Sequence, residues 1–117
     1  MRRVVVTGIG MCSPLGYGAD HCWKRLIESE SGIDKLSGFE IEDLACKVGG
    51  QISLEGRSDL FLENVVDQKD RRKIEMFIQY AISAAKEAIE DSGWSPSNEA
   101  DSCRTGVMIG SGIGGLD

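Results

Sequence analysis

An α/β fold is the class this sequence predicts, and three observations predict it. A β-branched run, Val4-Val5-Val6, stands near the start and ends in Gly8-Ile9-Gly10. Residues 68–92 repeat apolar side chains at helical spacing. A second strand pattern over 105–109 runs into Gly110-Ser111-Gly112-Ile113-Gly114-Gly115. Strands that open into glycine loops, with helices between them, fit a sheet covered by helices.

Each element has its own signal. Residues 3–7 read as a strand buried on both faces, because the β-branched run is continuous rather than alternating. Ser13-Pro14-Leu15-Gly16 breaks the chain again. Asp20 is placed to cap a short helix through about Ser29, with Trp23, Leu26 and Ile27 forming one apolar face and Gly32 as its stop. Residues 34–66 are less regular. A strand is expected within 47–53, interrupted at Gly49-Gly50, and 54–67 reads as loop with one helical turn.

The helical signal over 68–92 is strong. Ile74, Phe77, Ile78, Ala81, Ile82, Ala85, Ala88 and Ile89 follow i, i+3, i+4, i+7 spacing. Asp67 is a good N-cap, Asp70 suits the first turn, Lys86 and Glu90 form an i, i+4 pair, and Gly93 ends the helix. The Ala-rich face permits close approach of a neighbour. Residues 95–102 read as a polar turn before the second strand.

Composition narrows the function classes. The 117 residues are 41% hydrophobic and 27% charged, ordinary values for a globular chain. Net charge is −6, from 13 basic and 19 acidic residues, which argues against general nucleic-acid binding. The early apolar run is too short for a signal-peptide core or a membrane span, so the expected compartment is the cytoplasm. Cys12, Cys22, Cys46 and Cys103 contain no C-x-x-C pair, so a zinc site is not expected and the thiols are read as reduced and structural. His21, the single histidine, has no partner set for nucleophilic catalysis.

Three motifs bear on function. Thr7-Gly8-Ile9-Gly10 suggests a dinucleotide turn, but the third glycine of the fingerprint is missing and Pro14 stands where a helix should begin. Residues 110–115 hold four glycines in six positions, suited to a tight loop around a buried Ile113 and to the wall of an apolar pocket or an anion site. Residues 67–75 carry Lys69, Arg71, Arg72 and Lys73 against Asp67, Asp70 and Glu75, net +1 where the rest of the chain is −7. On a helix Lys69, Arg72 and Lys73 share one face, either a solvated surface or a docking patch for an acidic partner.

The residues resemble a known family. The start, Arg2-Arg3-Val4-Val5-Val6-Thr7-Gly8-Ile9-Gly10-Met11-Cys12-Ser13-Pro14-Leu15-Gly16, is similar to the N-terminus of the β-ketoacyl-acyl-carrier-protein synthases, most closely their type II members. Trp23-Lys24-Arg25-Leu26 with Ser31-Gly32-Ile33 resembles that family's first helix and its exit. Arg72-Lys73 with Phe77-Ile78-Gln79-Tyr80-Ala81 resembles its long helix, and Gly110-Ser111-Gly112-Ile113-Gly114-Gly115-Leu116 its second-strand loop. The match runs along the whole chain and is weak over 36–66.

The resemblance implies a thiolase-like αβαβα fold, usually homodimeric. It implies a decarboxylating Claisen condensation that lengthens an acyl chain on acyl-carrier protein with malonyl-carrier protein, without metal or nucleotide. In that family a Cys holds the acyl group and two His residues assist decarboxylation. None of those three positions is matched here, so no catalytic residue is assigned. Residues 1–117 are expected to be the N-terminal part of the family's N-terminal domain, with no second domain, and to be inactive alone. Lys69, Arg72 and Lys73 match the family's carrier-docking positions. Ile113 matches the apolar residue bordering the acyl pocket, with Gly112 and Gly114 allowing close backbone approach. Two other readings stay open: a stand-alone carrier-binding module and a small nucleotide-binding α/β protein. Sheet strands without neighbours also predict a dimer, a swapped assembly or poor solubility.

Overall fold

A 17-residue helix, α4 (Met76–Ser92), is the longest element among the described residues. The structure, a computed structural model, describes residues 2–115. In chain order it holds β1 (Cys12–Ser13), β2 (Gly16–Tyr17), α1 (Ala19–Ile27), β3 (Asp34–Lys35) and β4 (Val48–Gly49). A 3-10 turn (Ser58–Leu60), α2 (Leu62–Val65), α3 (Gln68–Arg71), α4 and α5 (Glu99–Arg104) follow.

Both sheets are two-residue antiparallel hairpins. Cys12 faces Tyr17 and Ser13 faces Gly16 in the first. Asp34 faces Gly49 and Lys35 faces Val48 in the second. Tyr17 also bridges Gly56: its N–H donates to the Glu55 carbonyl at 2.8 Å, and its own carbonyl accepts from Arg57 N–H at 3.0 Å.

The two strands expected at 3–7 and 105–109 are not formed. Neither segment is part of a ladder among the described residues, and their side chains face solvent: Val4 is 92% and Met108 97% exposed. A β-branched run favours extended backbone, but a strand exists only when a neighbour accepts its N–H groups and supplies its carbonyls' donors. Instead of ending a strand, Gly8 and Gly10 lie directly on the backbone of α4. A Cβ added at Gly10 would stand 1.9 Å from the Ala84 carbonyl oxygen, and one at Gly8 2.2 Å from that of Ala88. The close approach expected of the Ala-rich helix is therefore made by this glycine segment.

Other elements shift in detail. The expected helix 68–92 is two helices, with 72–75 between them. Asp67 is the N-cap residue of α3, without a side-chain capping bond, and Gly93 closes α4 at φ 62°. The first helix begins after Gly18, places Asp20 in its first turn and ends at Glu28 rather than Gly32, with Ser29 left-handed at φ 62°. Its expected apolar face is exposed, Trp23 by 62% and Ile27 by 63%, while Cys22 is buried. Part of the polar turn at 95–102 is helical: Asn98 caps α5 by accepting the Asp101 N–H at 2.9 Å. That cap, with an acidic residue three positions on, is a sequence signal for a helix start.

The core is small: Tyr17, Cys22, Leu60 and Val66 among apolar residues, with the Tyr17 and Phe61 rings 5.1 Å apart. Accessible surface is 9293 Å² where a compact chain of 12.7 kDa would show about 6,200 Å². The radius of gyration, 16.9 Å, likewise exceeds the roughly 13 Å of a compact chain this long. Among the described residues no helix is long and apolar enough to cross a membrane.

Candidate docking face and apolar groove

The basic residues singled out in the sequence come together. α3 carries Lys69, its C-cap is Arg72, and Lys73 follows in the link to α4. With Gln68, these three line an open depression of about 360 Å³. All three are exposed. Lys73 is 3.4 Å from Asp70, while Lys69 and Arg72 form no ion pair among the described residues. Two cations without ion-pair partners among the described residues, on a short helix and its cap, present positive charge to solvent on an otherwise acidic chain. A second depression of about 330 Å³ adjoins it, where Arg71, Arg72 and Lys73 meet Ile74, Met76 and Gln79.

The glycine loop lies elsewhere. Gly112 is exposed, and Ile113, expected to be buried, is 80% exposed. Gly114 sits at φ 87° beside the Phe77 ring, where an added Cβ would be 3.3 Å from Cζ. Leu116 lies outside the described residues. A groove of about 400 Å³ runs between α4 and the segment before the loop. Phe77, Ile78, Ala81, Ile82 and Ala85 form one wall, and Val107, Ile109 and Ser111 the other. The apolar period of the helix thus lines a solvent-open groove, not a closed core.

The buried face of α4 is polar, which the apolar periodicity did not reveal. Gln79, Ser83 and Glu87, spaced i, i+4, i+8, are at most 5% exposed. Each reaches backbone. The Glu87 carboxylate accepts N–H bonds from Met11 at 2.8 Å and Ala19 at 2.9 Å. Ser83 Oγ donates to the Leu60 carbonyl at 2.6 Å. Gln79 Nε2 donates to the carbonyls of Arg71 at 3.1 Å and Ile74 at 3.0 Å. Three polar residues at exact helical spacing inside an apolar helix were the available signal.

Arg57 ties the loop before α2 to the same helix. Its guanidinium donates to Asp59 at 2.6 Å and to Glu90 at 3.1 Å, and lies 3.7 Å from Glu87. Bonded to Arg57, the Asp59 carboxyl is held below the ordinary aspartate range. Arg25 pairs with Glu30 and Glu55 and donates to the Leu15 carbonyl at 3.0 Å. All four thiols are free. Burial pushes the Cys12 thiol up, against a lowering hydrogen bond with Tyr17. Among the described residues no three His, Cys, Asp or Glu side chains converge as a metal site.

Comparison with known proteins gives the family of the chain. The family model described as "Beta-ketoacyl synthase, N-terminal domain" matches residues 1–117. Aligned over the whole chain, the sequence is 44% identical to 3-oxoacyl-[acyl-carrier-protein] synthase 2 of Rhizobium meliloti (strain 1021), covering 28% of that protein. Over 99% of the chain it is 42% identical to the protein of the same name from Vibrio harveyi, covering 26% of it. The corresponding figures for Staphylococcus aureus (strain COL) are 36% identity, 99% of the chain and 27% of the relative. The chain spans about a quarter of the length of these curated relatives.

Proposed function

Because the chain belongs to the β-ketoacyl synthase family, through that family's N-terminal domain, we propose that it serves as the carrier-protein docking part of a fatty-acid condensing enzyme. The relatives are named as 3-oxoacyl-acyl-carrier-protein synthases. The enzyme's reaction is the decarboxylative Claisen condensation of an acyl thioester with malonyl-carrier protein. The malonyl group loses CO₂, and the resulting carbanion attacks the acyl thioester carbonyl. That forms the new carbon–carbon bond and releases the thiolate that held the acyl group.

One observation carries the docking role. Lys69, Arg72 and Lys73 line one open depression, and two of them lack ion-pair partners among the described residues. Acyl-carrier protein is the acidic macromolecule this reaction requires at the synthase surface. Opposite charge at such a rim raises the association rate and sets orientation. In the same reading Ile113, Gly112 and Gly114 belong to the wall of the acyl pocket, and no residue of this chain makes or breaks a bond. The thiolase-like layering and a homodimer also belong to it. The solvent-facing runs at 4–6 and 107–109 support them, because strand partners would cover such β-branched segments.

The test uses the intact protein that carries this segment. Condensation is followed with acyl- and malonyl-carrier proteins as the appearance of 3-oxoacyl product, and carrier binding is titrated at several salt concentrations. Arg72→Glu is expected to weaken carrier binding about tenfold at low salt and to flatten its salt dependence. Binding unchanged in Arg72→Glu overturns the docking assignment, and absence of any 3-oxoacyl product overturns the enzyme reading.

A further inference from the structure

The break between α3 and α4 contains no helix-breaking residue type. Arg72, Lys73, Ile74 and Glu75 include neither glycine nor proline, and the helical period predicts one helix straight through them. Yet Glu75 is extended, at φ −60° and ψ 152°, and α3 stops at Arg71.

The carbonyls at the end of a helix lack intrahelical partners and need donors from elsewhere. The Asp70 carbonyl accepts from the Lys73 N–H at 2.9 Å, and one side chain serves the next carbonyl and one in the link. Gln79, 4% exposed, donates its amide to the Arg71 carbonyl, the last of α3, and to the Ile74 carbonyl, within the link. In a continuous helix the Arg71 carbonyl would accept from the Glu75 N–H and the Ile74 carbonyl from the Ile78 N–H. The bonds from Gln79 take the place of that ladder. Ile78 N–H instead donates to the Glu75 carbonyl at 3.1 Å.

We propose that Gln79 is a positioning residue for the carrier-docking face: by bonding both carbonyls it holds the break that sets Arg72 and Lys73 in place beside Lys69. This rests on the docking reading above. Lys69 lies before the break, Arg72 at its edge and Lys73 within it, so the shape of their shared depression depends on the angle the break imposes. Gln79 does not line that depression; it lies in the floor of the adjoining one, 4% exposed, with its amide turned to the two carbonyls.

The experiment is a double-mutant cycle on carrier binding, made in the intact protein with purified acyl-carrier protein as the probe. Gln79→Met keeps the side chain's length and removes its donors. It is expected to raise Kd about fivefold in the wild-type background, the worth of a lost positioning hydrogen bond. In the Arg72→Glu background the same change should matter little, because residues acting through one another are not additive. Amide exchange over 72–78 should change in Gln79→Met while the rest of the protein does not. If Gln79→Met does not fold, Gln79→Asn replaces it, one methylene too short to reach the carbonyls but still polar. Wild-type affinity in the Gln79 variant, or equal losses in both backgrounds, overturns the proposal while leaving the docking reading intact. An Arg72→Glu protein that binds normally overturns the docking reading, and this proposal with it.

Discussion

Glu87 Oε2 accepts the backbone N–H of Met11 at 2.8 Å, joining residues 76 positions apart in the chain. The other carboxylate oxygen accepts the Ala19 N–H, so one side chain holds both ends of the hairpin β1–β2 against α4. Glu87 side-chain exposure is 7%, so water is a poor substitute for either partner. Glu87→Met should therefore destabilise the protein by about 1–3 kcal/mol, as two part-buried backbone donors lose a charged acceptor. Urea unfolding measures it, and a loss under 1 kcal/mol on the same scale would show that the carboxylate is not the clamp.

Ser83 tests the same helix face with a smaller group. Its hydroxyl donates to the Leu60 carbonyl at 2.6 Å, and both residues are fully buried. Ser83→Ala should cost about 1–3 kcal/mol, since the Leu60 carbonyl is left without that donor. Stability equal to wild type would mean that another donor replaces the hydroxyl.

Gly10 and Gly93 separate close approach from backbone conformation. A Cβ at Gly10 meets the Ala84 carbonyl oxygen at 1.9 Å, whereas nothing lies within 4 Å of one at Gly93. Gly93→Ala has only the left-handed φ to overcome, about 1–2 kcal/mol. Gly10→Ala must push the segment off α4, breaking the Ile9–Asp91 and Met11–Glu87 bonds. The midpoint of thermal unfolding should fall much further for Gly10→Ala. The reverse order would contradict the packing of the first glycine segment.

Asp59 gives a pH dependence whose sign follows from Arg57. A carboxyl held low in the folded state adds stability above its unfolded pKa and loses it as pH falls through the folded value. The wild-type protein should therefore lose stability on acidification below about pH 4. Arg57→Met removes the partner, so the Asp59 carboxyl should titrate at higher pH, read by carbonyl NMR, and the acid slope of stability should flatten. An unmoved Asp59 titration would show that Arg57 is not its controlling neighbour.

The thiols should react in an order set by burial. Cys46 and Cys103 are exposed, Cys12 is half-buried with its thiol pushed up, and Cys22 is 2% exposed with Sγ donating to the Gly16 carbonyl at 3.2 Å. Reactivity follows thiolate and access. Iodoacetamide labelling with peptide mapping should modify Cys46 and Cys103 first, then Cys12, and Cys22 only on unfolding. Early labelling of Cys22 would contradict its placement.

Local signals survived into the structure where they depended on neighbours in the chain. The helical period over 76–92, the glycine stop at Gly93, the basic cluster at Lys69, Arg72 and Lys73 and the family motifs could all be read from adjacent residues. Propensity, capping and charge spacing act within a turn or two, so one segment carries the information. The i, i+4 pair Lys86 and Glu90 likewise stands at 3.7 Å.

What depended on distant residues was decided only in three dimensions. Val4, Val5 and Val6 have strand propensity but no strand, since a ladder needs a second segment to complete it. The buried side of α4 is Gln79, Ser83 and Glu87, not the isoleucines, because loops with unpaired backbone groups pack there and require donors and acceptors. A break without glycine or proline at 72–75 is held by a side chain from the following helix. In each case the deciding term is the pairing of a backbone group with a residue outside its own segment, and spacing along the chain does not encode that pairing.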